Sequence, residues 1–130
     1  MNIVLKSITY LFLIILFSSC QDKEIRSDQN LKVELKNPAD STEYMPGDTV
    51  YINAKLSNII PLHGYEISIY GMENLQMYFY DAKHFHQNEI IIDTFFVNQL
   101  DTFSLAKFEL RTYHSHSEGP FFLNRFLLFY

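Results

Sequence analysis

Two short histidine motifs are the residues most able to do chemistry in this chain. His-Phe-His occupies positions 84–86 and His-Ser-His occupies positions 114–116, so each motif places two imidazoles two residues apart. Because side chains alternate along a β-strand, both rings of each motif point to the same side when the segment is extended. Neutral imidazole is a good ligand for Zn, Cu, Ni or Fe. The spacing predicts a metal site if the fold brings the motifs together.

The elements that must position these motifs are β-strands. Leu31, Val33 and Leu35 alternate with charged residues, and Met-Pro-Gly-Asp at 45–48 is typical of a turn. Further strand-like runs are separated by turn residues, and no convincing amphipathic helix is visible. The pattern predicts an all-β, immunoglobulin-like antiparallel β-sandwich of about seven strands. The predicted strands are 31–36, 50–56, 62–70, 75–79, 90–97, 103–113 and 121–130.

This topology predicts where the histidines lie. If consecutive strands run in opposite directions, every second connection falls at the same end of the sandwich. The connections between strands two and three, four and five, and six and seven then share one pole. All five histidines lie in or beside these connections, so we expect a metal site, with Zn or Cu as the ion, formed by His63, His84, His86, His114 and His116.

Within this predicted site, His86 and His114 are the preferred ligands, while Gly64 leaves the direction of His63 loose. Asp81 and Glu118 lie beside the motifs and are candidates for further ligands or for hydrogen-bond acceptors that orient a ring. A direct hairpin between the fifth and sixth strands would pair His84 with His116 and His86 with His114. The alternative is that these histidines are solvated loop residues with no metal.

The N-terminus is typical of a targeting segment. Lys6 is followed by an apolar run at 8–17, which is shorter than the roughly 20 residues that a membrane span needs and suits a signal peptide. The motif Phe-Ser-Ser-Cys at 17–20 resembles a bacterial lipobox, with phenylalanine in place of the usual leucine. The resemblance implies a lipoprotein signal peptide at 1–19 and lipidation of Cys20, the only cysteine. An ordinary signal peptide with an incidental cysteine is the alternative.

The ten residues that follow Cys20 are predicted to be a flexible tether. Residues 20–30 contain charged and polar side chains and almost nothing to bury, and the domain is expected to span 31–130. Cys-Gln-Asp-Lys-Glu at 20–24 also resembles the acidic export signal of surface-exposed Bacteroidetes lipoproteins, although random charges in a solvated linker would look the same. We therefore expect an outer-membrane lipoprotein of the cell envelope, facing either the periplasm or the outside.

A longer resemblance covers most of 31–130. The segments Tyr-Met-Pro-Gly-Asp-Thr-Val at 44–50 and Leu-His-Gly-Tyr-Glu-Ile at 62–67, together with His-x-His at 84–86, resemble small Bacteroidetes lipoproteins with an immunoglobulin-like domain of unknown function. These families have no established activity to transfer. The resemblance implies the cellular address and the fold.

Three classes of function follow from these features. The preferred one is a lipid-anchored envelope binding module with a histidine-lined metal site. The alternative is a metal-free adhesion or glycan-binding accessory, because nine Tyr and twelve Phe could supply stacking surfaces, although strand packing explains them as well. An enzyme is not expected, because no Ser or Cys nucleophile stands in an activating context. A net charge of −5 argues against nucleic acid, and an envelope protein remains a possible partner.

Overall fold

The computed structural model describes residues 30–114 and 119–130, and these residues form one β-sheet. The sheet has six strands: β1 (Lys32–Asn37), β2 (Thr42–Tyr44), β3 (Thr49–Gly71), β4 (Met77–Val97), β5 (Ser104–Tyr113) and β6 (Phe121–Phe129). Nothing in these two ranges is helical, so they contain no long apolar helix of the kind that spans a bilayer. The prediction of an all-β fold is confirmed.

The sheet is organised around the long antiparallel hairpin of β3 and β4. β4 pairs with one side of β3, while β1 pairs with the first part of its other side and β5 with the second part. β6 continues the sheet from β5, and β2 closes the order as a parallel neighbour of β6. The resulting sheet is curled into a half-barrel, and an immunoglobulin-like sandwich of seven strands is not confirmed.

The number of strands differs from the prediction because two expected connections are continuous strands. The second and third predicted strands are joined in β3, and the fourth and fifth are joined in β4. Residues 84–86, expected in a loop, therefore lie inside β4. The short strand β2 was not predicted. In addition, β4 pairs with β3 and not with β5 among the described residues, so the direct hairpin considered between the fifth and sixth predicted strands is not formed; His116 lies outside these residues.

The core lies on one face of the curled sheet, called here the core face. Its buried side chains follow the period of two expected for strands that are apolar on one side. They come from β3, β4, β5 and β6, and the largest that are fully buried include Phe108, Phe129, Ile52, Leu56 and Ile67. The opposite surface of the same strands is called the outer face.

The middle of β3 contains an irregular segment at residues 58–61, between two stretches that pair regularly with β4. Ser57 pairs with Glu89 and Leu62 pairs with Gln87, so four residues of β3 lie opposite Asn88 alone. The Asn88 side-chain amide donates to the carbonyl oxygens of Asn58 at 3.1 Å and Ile59 at 2.6 Å. Along β3 the even-numbered residues are buried from Val50 to Gly64, apart from Ile60, and the odd-numbered ones are buried from Tyr65 to Gly71.

This segment divides the hairpin into two halves. The β1 half consists of residues 49–57 and 89–97, where β1 is the third strand, and the β5 half consists of residues 62–71 and 77–87, where β5 is the third strand. The change from even-numbered to odd-numbered buried residues at Gly64 and Tyr65 keeps the apolar side chains of β3 on the core face in both halves. Three histidines, at positions 63, 84 and 86, lie at the end of the β5 half that adjoins this segment, which is called here the junction.

Candidate metal centre

The pairing of β3 with β4 brings His63, His84 and His86 to one place. Gly64 pairs with His84 and Leu62 pairs with Gln87, which leaves His63 alone opposite the two residues Phe85 and His86. Two residues opposite one define a β-bulge, which bends the strand and redirects side chains. His63, whose direction the sequence left open because Gly64 follows it, is therefore the β3 residue of this bulge.

Phe85 and the histidines on either side of it face different environments. The Phe85 ring is half-buried and packs beside the core residue Tyr65, with ring centroids 6.1 Å apart. His84 and His86 are both exposed. Alternation along β4 therefore sends the phenyl ring toward the core and both imidazoles toward solvent, as the His-x-His spacing predicted.

The three imidazoles form a compact cluster. Ring centroids lie 4.6 Å apart for His63 and His86, 4.8 Å for His84 and His86, and 6.2 Å for His63 and His84. All three pairs cross at steep angles of 68° to 85°. The edges of the rings, where the nitrogens are, therefore meet the faces and edges of their neighbours.

Two ring nitrogens are already close to each other. Nε2 of His84 lies 3.1 Å from Nε2 of His86. A hydrogen bond at this distance needs an Nε2–H on one ring and a lone pair on Nε2 of the other. Tetrahedral zinc with Zn–N bonds of 2.0–2.1 Å would hold two ligand nitrogens roughly 3.3 Å apart. The observed separation is close to that value.

Gly64 is the residue that permits the close approach of the strands beside the cluster. Its φ is +146°, and a Cβ at this position would lie 2.2 Å from the carbonyl oxygen of Lys83. On its other side, the buried Thr112 hydroxyl donates a 2.8 Å hydrogen bond to the Gly64 carbonyl oxygen. From the sequence, Gly64 was expected only to leave the direction of the His63 side chain undefined. A single glycine between histidine and tyrosine in a strand was the signal for this contact.

The side chains as they stand do not yet form a coordination sphere. Within 30–114 and 119–130, no group of three or more His, Cys, Asp or Glu side chains is arranged to hold a metal ion. His84 and His86 are exposed, so their rings can rotate with little loss of packing. The cluster is therefore a set of adjacent donors whose final orientation is adjustable.

The second histidine motif is only partly described. Tyr113, the last residue of β5, pairs with Gly64, and His114 follows it directly outside the strand. His116 and Glu118 lie outside the described residues, as does Cys20. The structure thus brings three of the five predicted histidines together and places a fourth directly after the end of the neighbouring strand β5.

Asp81 has a different role from the one considered for it. Its Oδ2 accepts a 2.9 Å hydrogen bond from the Tyr65 hydroxyl, and its backbone pairs with Ile67, whose side chain is in the core. Burial and this hydrogen bond raise the pKa of Tyr65. The carboxylate therefore supports the core-facing tyrosine.

Comparison with known proteins does not assign the site. Neither a scan of protein-family models nor a search of curated proteins found a match to this chain.

Proposed function

We propose that this chain is a lipid-anchored binding module of the cell envelope that captures a transition-metal ion, Zn or Cu, between His63, His84 and His86. The observation that supports it is the convergence of three imidazoles from two paired strands, with centroids 4.6–6.2 Å apart. One histidine on an exposed strand needs no special explanation. Three in mutual contact concentrate the ligand that Zn and Cu prefer among neutral side chains.

Binding of the ion would replace the hydrogen bond between His84 and His86 and would move its proton to the other nitrogen of the donor ring. The hydrogen bond between Nε2 of His84 and Nε2 of His86 uses one lone pair and one proton. Transfer of that proton through solvent to Nδ1 of the same ring leaves each ring uncharged with a lone pair on Nε2, and rotation of the rings with a small opening of the 3.1 Å separation would admit the ion. His63 would supply the third nitrogen, and His114 and His116 remain predicted as further ligands.

The exposure of the cluster favours capture and release over a permanent structural role. His84 and His86 lie on the outer face, where an ion can enter and leave without opening the core. Three protein ligands leave coordination positions for water or for a ligand from the acceptor of the ion. The core itself is formed by apolar side chains on the opposite face, so folding does not require the metal.

The cellular address rests on the sequence. The lipobox-like motif at 17–20 supports an outer-membrane lipoprotein attached through Cys20, with the tether at 20–30 holding the domain away from the bilayer. The immunoglobulin-like resemblance to small Bacteroidetes lipoproteins supports the same address. In this proposal the domain presents its histidine cluster to the periplasm or to the cell exterior.

The test is metal binding by the full-length chain without a histidine tag. We expect Zn or Cu to be retained in a one-to-one ratio after gel filtration. If free metal is 100-fold above its dissociation constant, the stabilisation is about 2.7 kcal/mol, which raises the melting temperature by roughly 10–20 °C. His84→Ala with His86→Ala should abolish both effects.

A matched control separates coordination from damage to the strand. Gln87→Ala changes an exposed neighbour in β4 and keeps all the imidazoles, so its metal binding should equal that of the wild type. For the Cu(II)-loaded protein, the nitrogen couplings in the electron paramagnetic resonance spectrum count the bound imidazoles, and His63→Ala should remove one. Equal metal retention by the double variant and the wild type would refute the proposal.

A further inference from the structure

A second surface with the chemistry of a binding site lies on the outer face of the β1 half. Tyr51 on β3 and Phe95 on β4 are direct cross-strand partners, and their side chains are 58% and 60% exposed. Directly opposite side chains on paired antiparallel strands have Cβ atoms about 5 Å apart. The two rings thus form a broad apolar platform that protein packing does not cover in the described part of the chain.

The row of side chains next to this platform is polar and held in place by hydrogen bonds. Nδ2 of Asn37 donates to Oδ1 of Asn53 at 3.0 Å, and Nδ2 of Asn53 donates to Oδ1 of Asp93 at 2.7 Å. The chain of hydrogen bonds crosses β1, β3 and β4. Each amide has a second N–H, and the carboxylate has a second oxygen, so the row can present both donors and acceptors to a ligand.

The two rows have a spacing that suits a sugar. They are two residues apart along each strand, which is about 6.7 Å. An aromatic face packs against the C–H groups of a pyranose ring, while amide and carboxylate groups next to it can bond the hydroxyls. A depression of about 510 Å³ extends this surface, with Asn53, Lys55, Ile91 and Asp93 in its lining. Its volume is in the range of small-molecule sites.

The charges on this face favour a ligand without net charge. Lys32 pairs with Glu34 at 2.6 Å, and Lys55 pairs with Glu89 at 2.9 Å. Lys36 and Asp93 balance each other in formal charge, so the face has three cations and three anions and no net charge. A polyanion or polycation would find no complementary field here. A neutral ligand with many hydroxyls meets both the rings and the hydrogen-bonding row.

We propose that the outer face of the β1 half, with Tyr51 and Phe95 as stacking residues and Asn37, Asn53 and Asp93 as the hydrogen-bonding row, binds a neutral polysaccharide. The surface follows two extended strands, so it fits a ribbon-like chain rather than a single enclosed sugar. It is separate from the histidine cluster at the junction of the halves. The two sites therefore bind independently.

Affinity electrophoresis of the full-length chain tests this proposal. The probes are gels containing mixed-linkage β-glucan, glucomannan or xyloglucan, with polygalacturonate as the charged comparison. We expect at least one neutral polysaccharide to retard the wild type. Tyr51→Ala and Phe95→Ala should each weaken the association by about tenfold, the loss expected for a central aromatic contact.

Tyr80→Ala is the matched control. Tyr80 is also 58% exposed and lies on the same hairpin, but in the β5 half. Its variant should be retarded like the wild type, as should His84→Ala with His86→Ala and the wild type in excess chelator. Thermal melting confirms that each variant is folded, and Phe95→Thr, which keeps a residue suited to strands, replaces Phe95→Ala if the latter is not.

Three results would overturn the proposal. The first is that none of the neutral polysaccharides retards the wild type. The second is that Tyr80→Ala loses as much binding as Tyr51→Ala. The third is retardation by polygalacturonate alone, which would identify a charged partner. Loss of glycan binding in the double histidine variant would instead place the polysaccharide at the metal centre and would refute two independent sites.

Discussion

In the β1 half of the hairpin, nine consecutive residue pairs run from Thr49 with Val97 to Ser57 with Glu89 without a register shift. In the β5 half, the same two strands have shifts at both of its ends, beside Leu62 and beside Tyr70. The regular half presents flat, evenly spaced rows of side chains. The irregular junction turns three imidazoles toward one another. Register therefore decides which kind of ligand each region can hold.

The charged groups on the outer face differ between the halves in the same way. In the β1 half, Lys55 and Glu89 form an exposed pair. In the β5 half, Glu109 on β5 is only 5% exposed and accepts hydrogen bonds from Lys107 and Arg111. The Arg111 guanidinium also lies 5.2 Å from the centre of the Phe122 ring. We therefore expect ion pairing to matter for stability in the β5 half only.

The largest expected effect tests the close contact beside the cluster. Gly64→Ala places a methyl group 2.2 Å from the backbone oxygen of Lys83, in a region of φ that disfavours a side chain. We expect a loss of about 3 kcal/mol or more in the free energy of unfolding, measured by urea denaturation, because the opposing atom is backbone and the strands must separate.

Gly47→Ala is the control for this prediction. Its φ is +89°, and a Cβ there would have nothing within 4 Å, so the substitution tests backbone strain alone. We expect a loss of about 1–2 kcal/mol. Equal losses for the two glycines would show that the strand contact at Gly64 contributes nothing, and the contrast between junction and regular turn would fail.

An intermediate effect is expected for Glu109→Gln. Burial alone would raise the pKa of Glu109, but the hydrogen bonds from Lys107 and Arg111 outweigh it and hold the pKa below its ordinary value of 4.5. Because the folded-state pKa is lowered, the carboxylate stabilises the fold above the unfolded-state value, and this stabilisation is lost as the pH falls through the folded-state pKa.

At pH 7 we expect Glu109→Gln to reduce the free energy of unfolding by about 2 kcal/mol, the scale of hydrogen bonds to a charged group. The difference from the wild type should shrink as the pH is lowered below 4.5, which urea denaturation at a series of pH values measures. A difference that stays constant down to the lowest pH would show that packing, and not charge, is responsible.

The smallest effect is expected for Lys55→Ala in the β1 half. Lys55 and Glu89 have side chains that are 45% and 51% exposed, so water and salt screen their attraction. The free energy of unfolding should be unchanged within the error of urea denaturation, both at low and at high salt. A loss as large as that of Glu109→Gln would contradict the proposed difference between the two halves.

Local patterns in the sequence were sufficient for the strand content and for most of the core. The predicted strands at 50–56 and 62–70 have apolar residues at alternate positions, and Val50, Ile52, Leu56, Ile67 and Ile69 are buried. The turn at 45–48 is also confirmed, with Gly47 at positive φ and the Asp48 amide bonded to the Met45 carbonyl oxygen at 3.0 Å. These features depend on residues close together in the chain.

The joining of strands could not be predicted in this way. Residues 58–61 and 81–88 contain Asn, Pro, Asp and Gln, which are typical of connections, yet they lie inside β3 and β4. Residues 81–87 are held extended by pairing with 62–67, and Asn88 donates hydrogen bonds to the carbonyl oxygens of Asn58 and Ile59. The histidines were therefore expected to meet at an end of the fold, whereas His63, His84 and His86 meet in the middle of a hairpin.

The chain by itself determined that the imidazoles of residues 84 and 86 share a side, because alternation along a strand is a local property. Tertiary structure alone decided that His63 joins them and that Tyr51 stands beside Phe95. Both outcomes depend on the register between β3 and β4, which is the sum of many contacts between residues up to 48 positions apart. No short window of sequence contains that sum.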